Sequence, residues 1–346
     1  MIGKIGVEIE LLAPKGRSRE DLANAVAKEF GGDVQRYFHP QGEPSKVRDT
    51  PYFENLTLGF VVFDDDGNIH AHCVDDLTLQ TDLDRKHPPQ PGWYRIVSDD
   101  ARLLRLVMAH TDAEEPLDTV LLPIADLFGT QIEKKGGMFR VSDETSAPIA
   151  IGAPLPGERE RPCELITPPI DSDHQARLEA LLGLAKALDF TVPTEGATHL
   201  HFDGASLCNA ATVANLVRFL HTHSDELKKM MGTNPHCRRL GGWPAELIEM
   251  VEKEDFAELP WDQACERLGE LQLTKYCDFN LANLVRGDFN KRTFEVRILP
   301  VSMDAGDVIE TAEFFAGILD WARDCGGKLK PIPASVKRKT PLRNSV

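Results

Sequence analysis

The chain has 346 residues, of which 42% are hydrophobic, and it carries a formal net charge of −16 at pH 7. This size and apolar content allow a large core in one domain or two, whereas the acidic charge argues against nucleic acid as the main partner, because phosphates bind to basic surfaces. The 7 cysteines include no Cys-x-x-Cys pair, which argues against a disulfide framework or a zinc ribbon and indicates a reducing compartment. No signal peptide is recognisable, and no apolar run approaches the roughly 20 residues of a membrane span. We therefore expect a cytoplasmic protein without a membrane partner.

The first predicted element is a strand that carries two carboxylates. Val7, Ile9 and Leu11 alternate with Glu8 and Glu10, so the apolar side chains share one face and the two carboxylates share the other. Two like charges held side by side raise each other's pKa or recruit a cation, and a purely structural sheet gains nothing from them. The alternative interpretation is an ordinary solvated strand face.

A helix and a β-rich region follow this strand. Ser18 is predicted to cap a helix that stops at Gly31, and the polar residues 33–55, which include prolines, suggest a loop that lines a site. From residue 56 to 142 the pattern becomes β-rich, with a hairpin turn at 64–68.

The second half of the chain alternates helices with short strands. We predict helices at 174–188, 209–231 and 304–325, short helices at 232–276, and strands at 163–167, 198–203, 278–285 and 292–299. The 232–276 segment is a candidate lid, and the basic tail at 331–346 is predicted to be disordered.

Three of these strands repeat the pattern of the first, with an apolar face and an ionisable face. The ionisable faces hold His199 and His201, Glu295 and Arg297, and Asp278 and Asn280. An antiparallel sheet with its apolar face under helices and its polar face lining a cavity would place these side chains on one wall beside Glu8 and Glu10. We therefore predict an α+β fold.

Such a wall favours metal-dependent chemistry on phosphates. Glu8, Glu10, Glu164 and Glu295 would supply hard oxygen ligands for Mg²⁺ or Mn²⁺, and one histidine favours Mn²⁺ somewhat. Two such ions holding a nucleotide, with Arg297 over the transferring group, would provide the charge stabilisation that phosphoryl transfer requires.

Four ordered motifs resemble those of a known family. They are GVEIE at 6–10, CELITPP at 163–169, HLH at 199–201 and TFEVR at 293–297. Together they resemble the amidoligase family of carboxylate-amine ligases, which is similar to glutamine synthetase and glutamate-cysteine ligase. The motifs span nearly the whole chain, and their order at strand positions is more specific than any one of them.

The resemblance implies a glutamine-synthetase-like antiparallel sheet funnel backed by helices, in a single catalytic domain at 1–330 with a β-rich insertion at 56–135. It implies an ATP-dependent ligase that joins a small-molecule or peptide carboxylate to an amine through an acyl phosphate, and a homo-oligomer is an expectation from glutamine-synthetase relatives. By motif, the resemblance implies that Glu10 and Glu164 bind a metal nearer the substrate. It implies that Glu8, His199 and Glu295 bind a second metal, on the nucleotide phosphates. His201 and Arg297 would contact phosphate, and Asn280 would contact substrate or phosphate.

Several alternatives stay open at this stage. A second His-x-His, His70 and His72, could bind zinc, although a hairpin strand with partly exposed imidazoles explains it as well. Asp143 stands where family members often carry an amine-binding aspartate, but the glycine of that turn is absent. A metal-dependent hydrolase of the barrel type and a non-catalytic nucleotide-binding scaffold are the rival functions. The acid and the amine cannot be read from the sequence.

Overall fold

A computed structural model describes residues 2–44, 52–271, 273–286 and 292–324. The strands are β1 Ile5–Leu12, β2 Val34–Pro44, β3 Tyr52–Phe63, β4 Ile69–Val74, β5 Tyr94–Ser98, β6 Glu133–Lys135, β7 Met138–Ser142, β8 Pro148–Pro154, β9 Pro162–Ile166, β10 Ala197–Asp203, β11 Phe279–Asn280 and β12 Thr293–Pro300. The α-helices are α1 Arg19–Glu29, α2 Ala101–His110, α3 Leu122–Phe128, α4 His174–Ala187, α5 Ala210–Met231, α6 Ala245–Glu252, α7 Trp261–Glu270, α8 Ala282–Val285 and α9 Ala305–Asp324. The tail at 331–346, predicted to be disordered, lies outside the described residues.

The helix ends follow from local capping. The Ser18 hydroxyl accepts a hydrogen bond from the backbone N–H of Glu20, and the Asp21 carboxylate accepts one from the backbone N–H of Ser18 at 2.7 Å. This capping box satisfies backbone donors that a helix start leaves free, and it confirms the predicted beginning of α1. At α5, Asn209 caps the first turn, and Gly232 ends the helix with φ of 67°.

The chain divides into two compact units. The first unit comprises Met1–Ile9, Pro169–Gly183 and Glu195–Val346, and the second comprises Glu10–Pro168 and Leu184–Thr194. The division falls within β1, between Ile9 and Glu10, so this one strand contributes to both units.

The first unit is built on antiparallel strands with helices. β10 pairs antiparallel with β1 and with β12, and β12 pairs antiparallel with β11. The predicted strand at 278–285 is only partly correct, since β11 ends at Asn280 and α8 begins at Ala282. The reason is local: the side-chain oxygen of Asn280 accepts a hydrogen bond from the backbone N–H of Ala282 at 2.8 Å and starts the helical turn.

The second unit holds a longer sheet, in which the end of β1 is followed by β9, β4, β3, β5, β8, β7 and β6, with β2 added to β3. The predicted loop at 33–55 is wrong for Val34–Pro44, which forms β2 and pairs antiparallel with β3 over its whole length. The region at 56–142 contains strands, as predicted, but also α2 and α3. Leu103, Leu104 and Val107 of α2 pack into the same core as Leu56 and Leu58, so burial of an amphipathic helix explains the difference.

The antiparallel sheet pairings and the helices confirm the predicted α+β class. The glutamine-synthetase-like funnel, the single catalytic domain and the 56–135 insertion remain predictions. No helix in the part of the chain that the structure describes is long and apolar enough to cross a membrane.

Candidate functional site

Strand register brings the ionisable residues of the first unit together. Glu8 lies opposite His199, His201 lies opposite Glu295, and Asn280 also lies opposite Glu295. Directly opposite residues of antiparallel strands project to the same side of a sheet. The side chains that the alternating pattern predicted on one wall are therefore neighbours across β1, β10, β12 and β11.

Glu8, His201 and Glu295 form a set that we call the mixed cluster. One ligand atom from each lies within 4.8 Å of the other two. The Nε2 atom of His201 lies 3.1 Å from Oε1 of Glu8 and 3.8 Å from Oε1 of Glu295. An imidazole nitrogen held between two carboxylates in this way fits a bound divalent cation.

His199 faces the same two carboxylates from deeper in the sheet. Its Nδ1 atom lies 3.1 Å from Oε2 of Glu8 and 3.8 Å from Oε1 of Glu295, and the side chain is 3% exposed. Both predicted histidines thus reach the carboxylates. The resemblance implied a metal role for His199 and a phosphate contact for His201, whereas the ligand atom that groups with Glu8 and Glu295 belongs to His201.

Glu295 is positioned by two further predicted residues. The side-chain amide of Asn280 donates to Oε2 of Glu295 at 2.7 Å, while Oε1 accepts from the Arg297 guanidinium. The amide orientation is fixed because the Asn280 oxygen accepts from Ala282. A β-bulge places Arg297 and Ile298 opposite the single residue His199, and such bulges re-aim side chains beside functional sites.

Neighbouring charges in the first unit shift the pKa values of Glu8, His201 and His199. Burial alone would raise the pKa of Glu8, but His201 and His199 outweigh burial and hold the pKa well below its ordinary value. Burial would lower the pKa of His201, but Glu8 and Glu295 outweigh it and raise the pKa to about 9. Burial of His199 lowers its pKa, and the Arg297 guanidinium lowers it further. His201 is therefore a cation at neutral pH when no metal is bound, whereas His199 is neutral.

Glu10, Asp76 and Glu164 form a second set, the carboxylate cluster, within the second unit. One oxygen from each lies within 4.8 Å of the other two. Glu10 and Asp76 are 4% and 2% exposed, so solvent screens their mutual repulsion poorly. A hard divalent cation offsets that repulsion and prefers such oxygen ligands. The structure thus brings together Glu10 and Glu164, for which a shared metal stays a prediction.

Asp76 is the cluster member that the sequence prediction missed. It follows β4 by two residues, and its Oδ1 atom accepts from the backbone N–H of Thr78 at 2.8 Å and from the Thr78 hydroxyl at 2.6 Å. The pair Asp75 and Asp76 directly after an apolar strand was the available signal, since polar side chains at strand ends often line sites. Asp75 instead forms a buried ion pair with Arg159, with Oδ1 2.9 Å from Nη2.

The other candidates take ordinary structural positions. His72 Nδ1 lies 3.1 Å from the Tyr37 hydroxyl, whereas the His70 ring packs on Phe30 with centroids 3.7 Å apart. Neither belongs to a three-residue ligand set among the described residues, so the zinc interpretation gains no support. Asp143 is exposed and caps its own turn, accepting from Thr145 and Ala147 backbone N–H groups.

Comparison with protein families finds one family that matches most of the chain. A family model described as "Putative amidoligase enzyme" matches residues 2–319, which include every residue of both clusters. The chain belongs to this amidoligase family. The resemblance carried by the four motifs is thereby confirmed, and membership indicates an enzyme that forms amide bonds. No curated protein matches the chain.

Proposed function

We propose that this amidoligase is an ATP-dependent carboxylate-amine ligase that uses Mg²⁺ or Mn²⁺ and forms its amide through an acyl phosphate. ATP, the two ions and the acyl phosphate are parts of this proposal. The proposal also assigns the nucleotide to the mixed cluster and the substrate to the carboxylate cluster.

The charge balance of the two clusters is the observation that carries the proposal. In the first unit, Glu8 and Glu295 are partly offset by Arg297, with one net negative charge remaining when His201 is neutral. A divalent cation reverses this to one net positive charge, which suits a polyphosphate. In the second unit, all three members of the cluster are carboxylates. A set made only of carboxylates favours a cation or a cationic amine over a phosphate.

The residues of the chain then have distinct tasks in two chemical steps. In the first, a carboxylate oxygen of the acid attacks the γ-phosphorus of ATP, and ADP leaves. In the second, the amine nitrogen attacks the acyl carbon, phosphate leaves, and the nitrogen loses a proton. Bound divalent ions would neutralise charge on the transferring phosphoryl group. Glu8, His201 and Glu295 would hold one ion, and Glu10, Asp76 and Glu164 the other.

The supporting residues give these ligands fixed positions. Asn280 and Arg297 each hold one oxygen of Glu295, so its carboxylate does not need to reorganise when the nucleotide binds. Arg297 is 5% exposed, and its guanidinium would compensate negative charge at the phosphates from within the sheet.

The test is ADP release from ATP in the presence of pooled acids and pooled amines, with and without Mg²⁺. Hydroxylamine in place of the amine pool traps an acyl phosphate as a hydroxamate, so the acid can be identified before the amine is known. We expect ADP and hydroxamate only when ATP, metal and a suitable acid are all present. Hydrolysis of substrates without ATP would support the metal-dependent hydrolase instead, and nucleotide binding without turnover in any pool would support the scaffold.

A further inference from the structure

The second unit contains a small cavity that neither cluster occupies. It has a volume of about 250 Å³ and is lined by Arg85, Arg95 and Arg159, with apolar walls from Leu77, Leu83 and Leu155. We call it the arginine pocket. Three arginines lining one cavity stand out in a chain with a net charge of −16.

Arg159 anchors the pocket from the protein interior. The residue is 4% exposed, and its guanidinium donates to the Leu79 carbonyl at 2.7 Å and to the Asp76 carbonyl. Asp75 pairs with it, but the same carboxylate oxygen also lies 3.9 Å from Arg19, so one negative charge is shared between two guanidinium groups. Within the described ranges, Nε of Arg159 has no hydrogen-bond partner. A buried donor of this kind costs free energy unless something accepts from it.

Arg85, an exposed residue that also lines the cavity, takes part in two successive hydrogen bonds. Its Nη2 atom donates to Oε1 of Gln80 at 3.0 Å, and the Gln80 amide donates to the Leu77 carbonyl at 3.0 Å. The opposite wall is close to this loop at Gly157, where φ is +63° and a Cβ atom would lie 2.7 Å from the Asp84 carbonyl oxygen. The backbone at Gly157 therefore packs closely against the loop that carries Arg85.

We propose that the arginine pocket binds a small oxyanion-bearing metabolite, either a carboxylate or a phosphate ester, with a short apolar body. Guanidinium groups match both oxyanions in charge and geometry, and Leu77, Leu83 and Leu155 supply the apolar contact. The volume lies below the roughly 300–1,000 Å³ typical of pockets for drug-sized ligands, so it suits a small metabolite. This site does not depend on the proposed ligase activity.

The experiment is calorimetric titration of the full-length protein at low ionic strength, without nucleotide or divalent metal. The probes are inorganic phosphate, butyrate and succinate, so the arms distinguish a phosphate ligand from a carboxylate ligand. R85Q and R95Q remove pocket charges separately, whereas Arg159 is left in place because its buried ion pair supports the fold. R177Q, an exposed arginine on α4, is the matched control.

We expect at least one probe to bind, with affinity weakened about tenfold or more in R85Q and in R95Q and unchanged in R177Q. Unchanged melting temperatures would show that the variants are folded. The proposal is overturned if none of the probes binds, or if R85Q and R95Q both bind as the wild-type protein does. Because no turnover is measured, failure here leaves the ligase proposal unaffected.

Discussion

The mixed cluster and the carboxylate cluster each draw one ligand from β1, two residues apart, yet they create opposite charge environments. Glu8 lies opposite His199, and its cluster contains His201, with Arg297 bound to Glu295. Glu10 groups with two more acids, Asp76 and Glu164. What surrounds each carboxylate, and not the carboxylate itself, sets the charge that a divalent ion would meet there. Substitutions that change one cluster at a time test this contrast.

The largest expected effect is on turnover in E10Q. This change removes one ligand charge from the carboxylate cluster with almost no change in volume, so ADP formation should fall by on the order of 100-fold or more while the melting temperature stays close to that of the wild type. E29Q, on the exposed end of α1, is the control. Near-wild-type turnover in E10Q would remove the carboxylate cluster from the mechanism.

The next largest effect is on metal affinity, through the side chain that orients Glu295 in the mixed cluster. N280A removes the amide that donates to Oε2 of Glu295 at 2.7 Å. Because partners of metal ligands orient them, we expect affinity for Mn²⁺ with ATP to weaken by roughly 10- to 100-fold. Equilibrium titration followed by electron paramagnetic resonance measures this. Unchanged affinity would mean that Asn280 serves only to start α8.

A third prediction concerns the raised pKa of His201. The carboxylate cluster contains no histidine and so has no comparable group. The pKa is about 9 in the folded protein against an ordinary value of 6.5. Stability from the protonated imidazole is therefore fully present below pH 6.5 and is lost as the pH rises through about 9.

In EDTA, H201Q should lower the free energy of unfolding at pH 6 by on the order of 1–3 kcal/mol, and the difference should vanish above about pH 9. Urea unfolding at a series of pH values provides the measurement, and H199Q is the comparison, since burial keeps His199 neutral. A pH-independent difference for H201Q would show that its role is packing alone.

The smallest effect is expected for T78V in the carboxylate cluster. It removes the hydroxyl that donates to Asp76 at 2.6 Å, but the backbone N–H of residue 78 still donates to the same oxygen at 2.8 Å. We therefore expect metal affinity to fall only a few-fold, in contrast to N280A. An effect as large as that of N280A would indicate that the two clusters rely equally on side-chain support.

The residues of the mixed cluster could be placed on one face from sequence, because side chains alternate between the two faces of a strand. Alternation on β1, β10 and β12 places Glu8, His199, His201 and Glu295 on polar faces, and the register of the folded sheet brings those faces together. Even the β-bulge at Arg297 leaves its guanidinium on Glu295.

Asp76 could not be predicted in the same way. It lies beyond the end of β4, where alternation no longer applies, and its place beside Glu164 depends on the pairing of β4 with β9, about 90 residues away in sequence. β2 was missed for another reason: its proline and glycine residues are typical of loops, yet pairing along β3 overrides that preference.

Counting Mn²⁺ ions with a non-hydrolysable ATP analogue present tests the contrast between the clusters most directly. We expect two ions per wild-type chain and one in each of E8Q and E10Q, with affinity for the analogue lost in E8Q and retained in E10Q. Retention of the analogue by E8Q, or equal loss in both variants, would contradict the assignment of the nucleotide to the mixed cluster.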